Sequence, residues 1–217
     1  MELINPYDSI LIAIQFKNFY QKIGEEMRAN SLLKNKNFNV FVEQIAGNSG
    51  IQFTRSQKGL PPANVLLSPL RIQYEELNID VSNVDSLFDI VKFVYEEYKK
   101  ITPEGSGDDI DFSGAIVRAS YNLTEDNVSM LNEKLKINKN LNYKTTEFKL
   151  NYHDSNKFNY NISFLVNFET QKMTVVFDVN DRYQDSHVVE NIKTILKTIK
   201  EQLNNPDDLL KLLWQNQ

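Results

Sequence analysis

The densest concentration of side chains able to hold a metal or move a proton is Asp178, Asn180, Asp181 and Asp185, set around the end of a strand-like run from Met173 to Asn180. A hard divalent cation takes several oxygens at close range, and Asp178, Asp181 and Asp185 are the candidate ligands for metal-assisted hydrolysis. The spacing argues against that chemistry. The stretch has neither the glycine nor the terminal glutamate of a calcium loop, and the pleat of a strand sends Asp178 and Asp181 to opposite faces. A solvated turn is the better reading.

Other polar groups carry even less chemistry. The two histidines, His153 and His187, fall at the ends of expected elements, and neither stands in an H-x-x-x-H spacing. No nucleophile-elbow, phosphate-loop or dinucleotide-binding pattern occurs. The absence of cysteine excludes thiolate metal sites, cysteine nucleophiles and a disulfide scaffold. Asp108, Asp109 and Asp111, and the pairs Glu75–Glu76 and Glu96–Glu97, read as exposed charges. Lys193, Lys197 and Lys200 form a basic stripe on one helix face, diluted by Glu190 and Glu201; phosphate or an acidic protein could use it, but a solvated face explains it. No catalytic residue and no cofactor is expected.

A polar sheet face is a different kind of candidate. Asn159, Asn161, Ser163 and Asn167 occupy one register of a strand whose other register is Phe158, Tyr160, Ile162, Phe164 and Val166, with Leu165 interrupting the polar set. Such a face suits solvent or a hydrogen-bonded ligand, whereas Tyr152 and Tyr160 belong to the core or its rim.

The elements that would position these groups follow from periodicity. Ile10, Ile12, Ile14 and Phe16 alternate as a strand, and Phe19, Ile23 and Met27 continue as an amphipathic helix over 18–33. Residues 38–56 read as a hairpin about the Gly47–Gly50 turn. Residues 64–78 read as one extended stretch interrupted by Pro69, and hence bulged or at a sheet edge. Val84, Leu87, Phe88, Val91, Val94, Tyr95, Tyr98 and Ile101 hold a helical rhythm behind a cap at Ser82 or Asn83. Thr102 to Asp109 is a linker rich in glycine and acid.

The order then begins again. A strand over 110–123 precedes a helix opening at Thr124, an antiparallel meander of strands (146–153, 158–168 and 173–180) and a helix carrying Val188, Ile192, Ile195, Leu196, Ile199 and Leu203. The reading is an α+β protein, its antiparallel sheets carrying helices on one face, built by internal duplication of a β-α-β-β-β-α unit. Residues 1–101 form the first half, 102–109 the linker, 110–203 the second half and 204–217 a C-terminal amphipathic helix. In topology each half resembles the TATA-box-binding-protein fold or a helix-grip domain; the likeness implies a curved sheet cradling a helix and no function.

With 41% hydrophobic residues, the 217-residue chain can bury a sizeable core. A net charge of −5 argues against wrapping nucleic acid. Residues 1–6 lack a basic segment ahead of an apolar one, and no apolar run reaches the roughly 18 residues a spanning helix needs, so a cytoplasmic location with no membrane partner is expected. Runs such as Lys34–Asn37 point to an AT-rich coding sequence of a low-GC bacterium or phage.

The functional expectation is a non-enzymatic interaction module, a homo-oligomer or a subunit of a larger assembly. It would bind protein through sheet edges and through Leu209, Leu210, Leu212, Leu213 and Trp214, since so short an apolar helix must dock on something. The alternatives are a ligand-binding domain with a pocket between sheet and helix, lined by Phe148, Phe164 and Phe177, and an accessory component of a bacterial or phage defence or counter-defence system.

Overall fold

The structure, a computed structural model, describes residues 1–4, 7–17, 38–45, 48–56, 58–68, 70–80, 84–101, 110–134, 144–153, 158–181, 188–205 and 208–211. The helix expected over 18–33, the caps at Ser82 and Asn83, the linker 102–109 and the turn 154–157 lie outside the described residues.

In chain order the elements are β1 (Glu2–Leu3), β2 (Tyr7–Phe16), β3 (Asn39–Ile45), β4 (Asn48–Arg55), β5 (Ala63–Ser68), β6 (Arg71–Ile79), α1 (Val84–Ile101), β7 (Ile110–Asn122), α2 (Glu125–Lys134), β8 (Thr145–His153), β9 (Phe158–Asn167), β10 (Lys172–Asp181) and α3 (Val188–Leu203). All strands join one 10-stranded sheet in the order β3-β4-β5-β6-β2-β7-β10-β9-β8, with β1 also on β7. Every pairing in it is antiparallel. In each half the last strand returns beside the first, β6 on β2 and β10 on β7, and β2 then pairs with β7 from Ser9–Arg118 to Phe16–Ile110.

Two sequence expectations need correction. Residues 64–78 fall in two strands: Ser68 pairs with Arg71, so β5 and β6 run antiparallel, and both lie inside the sheet rather than at its edge. A proline, which cannot donate to a ladder, suits a turn as well as a bulge or an edge, so the sequence alone does not tell one strand from two. The first half consequently carries a meander of four strands after β2, where three were expected.

Strand alternation gives the sheet one apolar face. Ile12 of β2 lies beside Ala115 of β7, then Val179 of β10 and Tyr160 of β9, and all four are buried. The neighbouring row runs through Ile10, Val117, Phe177 and Ile162. Onto these rows α3 sets Ile192, Ile195, Leu196, Ile199 and Leu203, packing chiefly on β7 and β10, while α1 packs on β6 and on α3. On the helical face of β7, Ala115 and Ala119 are both buried and small, which suits a helix packed on that strand. Tyr121 Oη donates to the carbonyl of Leu203 at 2.7 Å, satisfying one of the acceptors that a helix C-terminus leaves open.

The helices end as their sequences require. Thr124 caps α2: the Asn127 amide donates to Thr124 Oγ1 at 3.3 Å, and the Thr124 amide donates to Asn127 Oδ1 at 3.1 Å. Beyond α3, the Leu209 amide donates to the Asn205 carbonyl at 3.2 Å, opening a helical turn at 208–211. Asn78 takes φ 54, which asparagine tolerates, and past it the pleat changes phase so that Ile79 and its partner Tyr7 are both buried. No helix among the described residues is long and apolar enough to cross a membrane.

Gly114 sits on the other face of β7, opposite Asn180. A Cβ there would stand 2.6 Å from the Val179 carbonyl oxygen and 2.9 Å from Cβ of Asn180. Replacing a strand glycine ordinarily stabilises by about 0.5–1 kcal/mol. Here the neighbour is backbone and the sign reverses: Gly114→Ala is expected to destabilise by about 1–3 kcal/mol, read as a lowered urea midpoint at unchanged m-value.

Candidate functional site

The acidic candidates do not converge. Along β10, Asp181 shares the helical face with Val179 and Phe177 and is buried, whereas Asp178 lies on the opposite face with Asn180. The Asp181 carboxylate accepts a 2.6 Å hydrogen bond from Asn191 Nδ2 of α3, which ties the end of the strand to the first turns of the helix. Asp185 and His187 lie outside the described residues, and no group of three or more metal-binding side chains gathers among those described.

The face opposite the helices carries a ladder of amides. Asn151, Asn161 and Asp178 are in register across β8, β9 and β10, and His153, Asn159 and Asn180 form the adjacent row. Asn159 Nδ2 donates to Asn180 Oδ1 at 3.1 Å. The amides and His153 line a concavity of about 310 Å³, and beside it Leu11, Ala13, Arg71, Phe112 and Gly114 line a smaller one of about 190 Å³. The β9 members of the two rows, Asn161 and Asn159, were legible in the alternation of that strand; the rows' extension onto β8 and β10 depends on strand register.

On the helical side, the lysine stripe lines a groove of about 710 Å³ between α1 and α3. Lys193, Lys197 and Lys200 stand with Phe88, Asp89 and Glu201, and Lys193 Nζ lies 5.6 Å from the centre of the Phe88 ring. Of the residues expected to line a pocket between sheet and helix, Phe164 and Phe177 are fully buried and Phe148 is half-buried at the rim of the core.

The C-terminal segment divides. Leu209 and Leu210 are buried in the same core as α3, so this part of the tail docks on its own chain. Leu212, Leu213 and Trp214 lie outside the described residues.

A buried charge network was missed by sequence reasoning, which read Glu76 with Glu75 as an exposed pair. The period of two puts Glu76 on the helical face with Ile72 and Tyr74, where it is 5% exposed. Arg55, Ala63 and Glu76 occupy one row across β4, β5 and β6. Because Ala63 offers only a methyl, Arg55 Nη2 reaches over it to Glu76 Oε1 at 3.0 Å. Arg55 Nε also donates to the Pro61 carbonyl at 3.1 Å, and the guanidinium lies 5.3 Å from the centre of the Phe38 ring. Tyr74 Oη donates to the other Glu76 oxygen. Burial, reinforced by that hydrogen bond, pushes the Tyr74 hydroxyl well above the usual tyrosine range, so it remains a donor to the carboxylate. The only hint in the sequence is an acid in an apolar register.

No protein-family model matches the chain, and no curated protein shows significant sequence similarity to it. The fold and its sites define the class directly: an α+β protein with one antiparallel sheet, one face under helices and the other bearing an amide ladder.

Each charge of the network depends on its partner. Arg55→Ala is expected to cost about 3–5 kcal/mol by leaving Glu76 buried and unpaired, whereas Arg55→Met combined with Glu76→Leu costs less than the single change. Urea unfolding of the single and double variants measures both.

Proposed function

We propose that this chain is a cytoplasmic, non-enzymatic interaction module that binds protein along the outer edge of β8. One observation carries the reading: the core runs out at that strand. Ala119, Val175 and Phe164 form a fully buried row, and the next residue in it, Phe148 of β8, is half-buried. The row of Val117, Phe177 and Ile162 ends in the same way at Leu150. A partner strand would continue both rows and pair the edge.

The arrangement of the halves supports the further proposal that they are diverged copies of one unit. In both, the first strand pairs antiparallel with the last strand of its own meander, and a long helix follows. The β2–β7 seam would then be the joint between copies.

The edge can be blocked without unfolding the strand. The Phe168 amide donates to the Lys144 carbonyl at 3.0 Å, so even-numbered residues of β8 bond to β9 and odd-numbered ones direct their backbone groups outward. Proline at position 149 therefore removes only an outward donor, a setting in which edge strands accept it. In gently lysed cells of its source, the tagged chain is expected to run in a species heavier than its 25.2 kDa monomer, and Lys149→Pro to run as the monomer. A wild-type chain that runs as a monomer there overturns the reading.

A second reading, a site for a small anion, is favoured by the groove between α1 and α3 and its three lysines. Inorganic pyrophosphate would then raise the Tm of the wild type by about 2–4 °C and leave Lys193→Ala/Lys197→Ala unmoved. An equal response of the two proteins would reject this site.

A further inference from the structure

We infer that the partner of β8 is β8 of a second copy, paired antiparallel about a twofold axis at Phe148. The inference rests on the reading of β8 as a binding edge and adds the partner and the register.

The backbone limits where the axis can stand. Thr145, Glu147, Lys149, Asn151 and His153 direct their N–H and C=O groups outward, and among the described residues no strand pairs with that edge. Two copies can bond only where outward residues meet outward residues, so the axis must pass through a residue and not between two. It stands perpendicular to the sheet, which keeps the helices of both copies on one side.

Charge then selects the residue. Lys149 Nζ lies 3.3 Å from Glu147 Oε1 within one strand, and both side chains are more than half exposed, on the face away from the helices. An axis at Lys149 would oppose lysine to lysine, and one at Glu147 glutamate to glutamate, arrangements that destabilise a strand pair. An axis at Leu150 opposes Lys149 to Asn151 and Glu147 to His153. Only an axis at Phe148 sets Glu147 of each copy against Lys149 of the other, twice over. The same register places Phe148 against Phe148 and Leu150 against Thr146 on the helical face, so the half-covered rim of one core meets that of the other.

The chain has no cysteine, so a single introduced thiol reports the register without background. Under mild oxidation of the purified protein, Phe148→Cys is expected to form a covalent dimer on a non-reducing gel, and Leu150→Cys to stay monomeric. Because the core-rim change could disturb folding, the exposed charges give a second measurement. Glu147→Lys should weaken self-association about tenfold by light scattering, and Glu147→Lys with Lys149→Glu should restore it. Faster cross-linking at position 150, or no rescue by the double exchange, would refute the register. A purified chain that remains at 25.2 kDa over the whole concentration range would refute the second copy. If the tagged chain still ran heavier than that in lysate, the edge would serve a different protein and the broader reading would stand.

Discussion

The pairing of β2 with β7 is the constraint on which the rest of this molecule depends. Either half alone would be a short meander with a helix, open along its first strand. Joining the two first strands from Ser9–Arg118 to Phe16–Ile110 places both in the middle of one sheet. Their apolar registers then become the centre of a common core, and the remaining edges move out to β3 and β8. The position of the candidate interface is thus a consequence of the seam.

The seam also explains where small and polar residues fall. Gly114 and Ala115 are adjacent on β7 and serve opposite faces: the glycine permits the close approach of Asn180, and the alanine leaves room for α3. Asp181 spends its carboxylate on Asn191 of α3, a structural use that leaves Asp178 alone with the amides of the opposite face. Arg55 and Glu76 do the same at the far side of the core, where an alanine between them lets two charges meet across two strands. These polar groups hold strands and helices in register, and among the described residues the β8 edge, the amide ladder and the lysine groove are the polar features that lie at the surface.

The legibility of these features varies for physical reasons. Alternation and helical rhythm depend on neighbours in sequence, so β2, β7, β9, β10, α1 and α3 were read close to their observed ends. The stretch 64–78 was misread because a proline between two apolar runs suits a bulge and a turn alike, and only the pairing of Ser68 with Arg71 chooses. Glu76 was misread because a charge in an apolar register looks like the end of a pattern until its partner, Arg55, arrives from a different strand.

By itself the sequence determined the composition of each face: a strand has a period of two and a helix one of 3.6, so the order of residues decides what each element can bury. It also determined which chemistries are excluded for want of residues, cysteine above all. Only the tertiary structure decided which strands stand next to one another, because backbone pairing is open to any two strands and selects its partner through packing of the whole core. That choice put Arg55 beside Glu76, drew the lysine stripe up to Phe88 and left β8 as an edge whose core is half-covered.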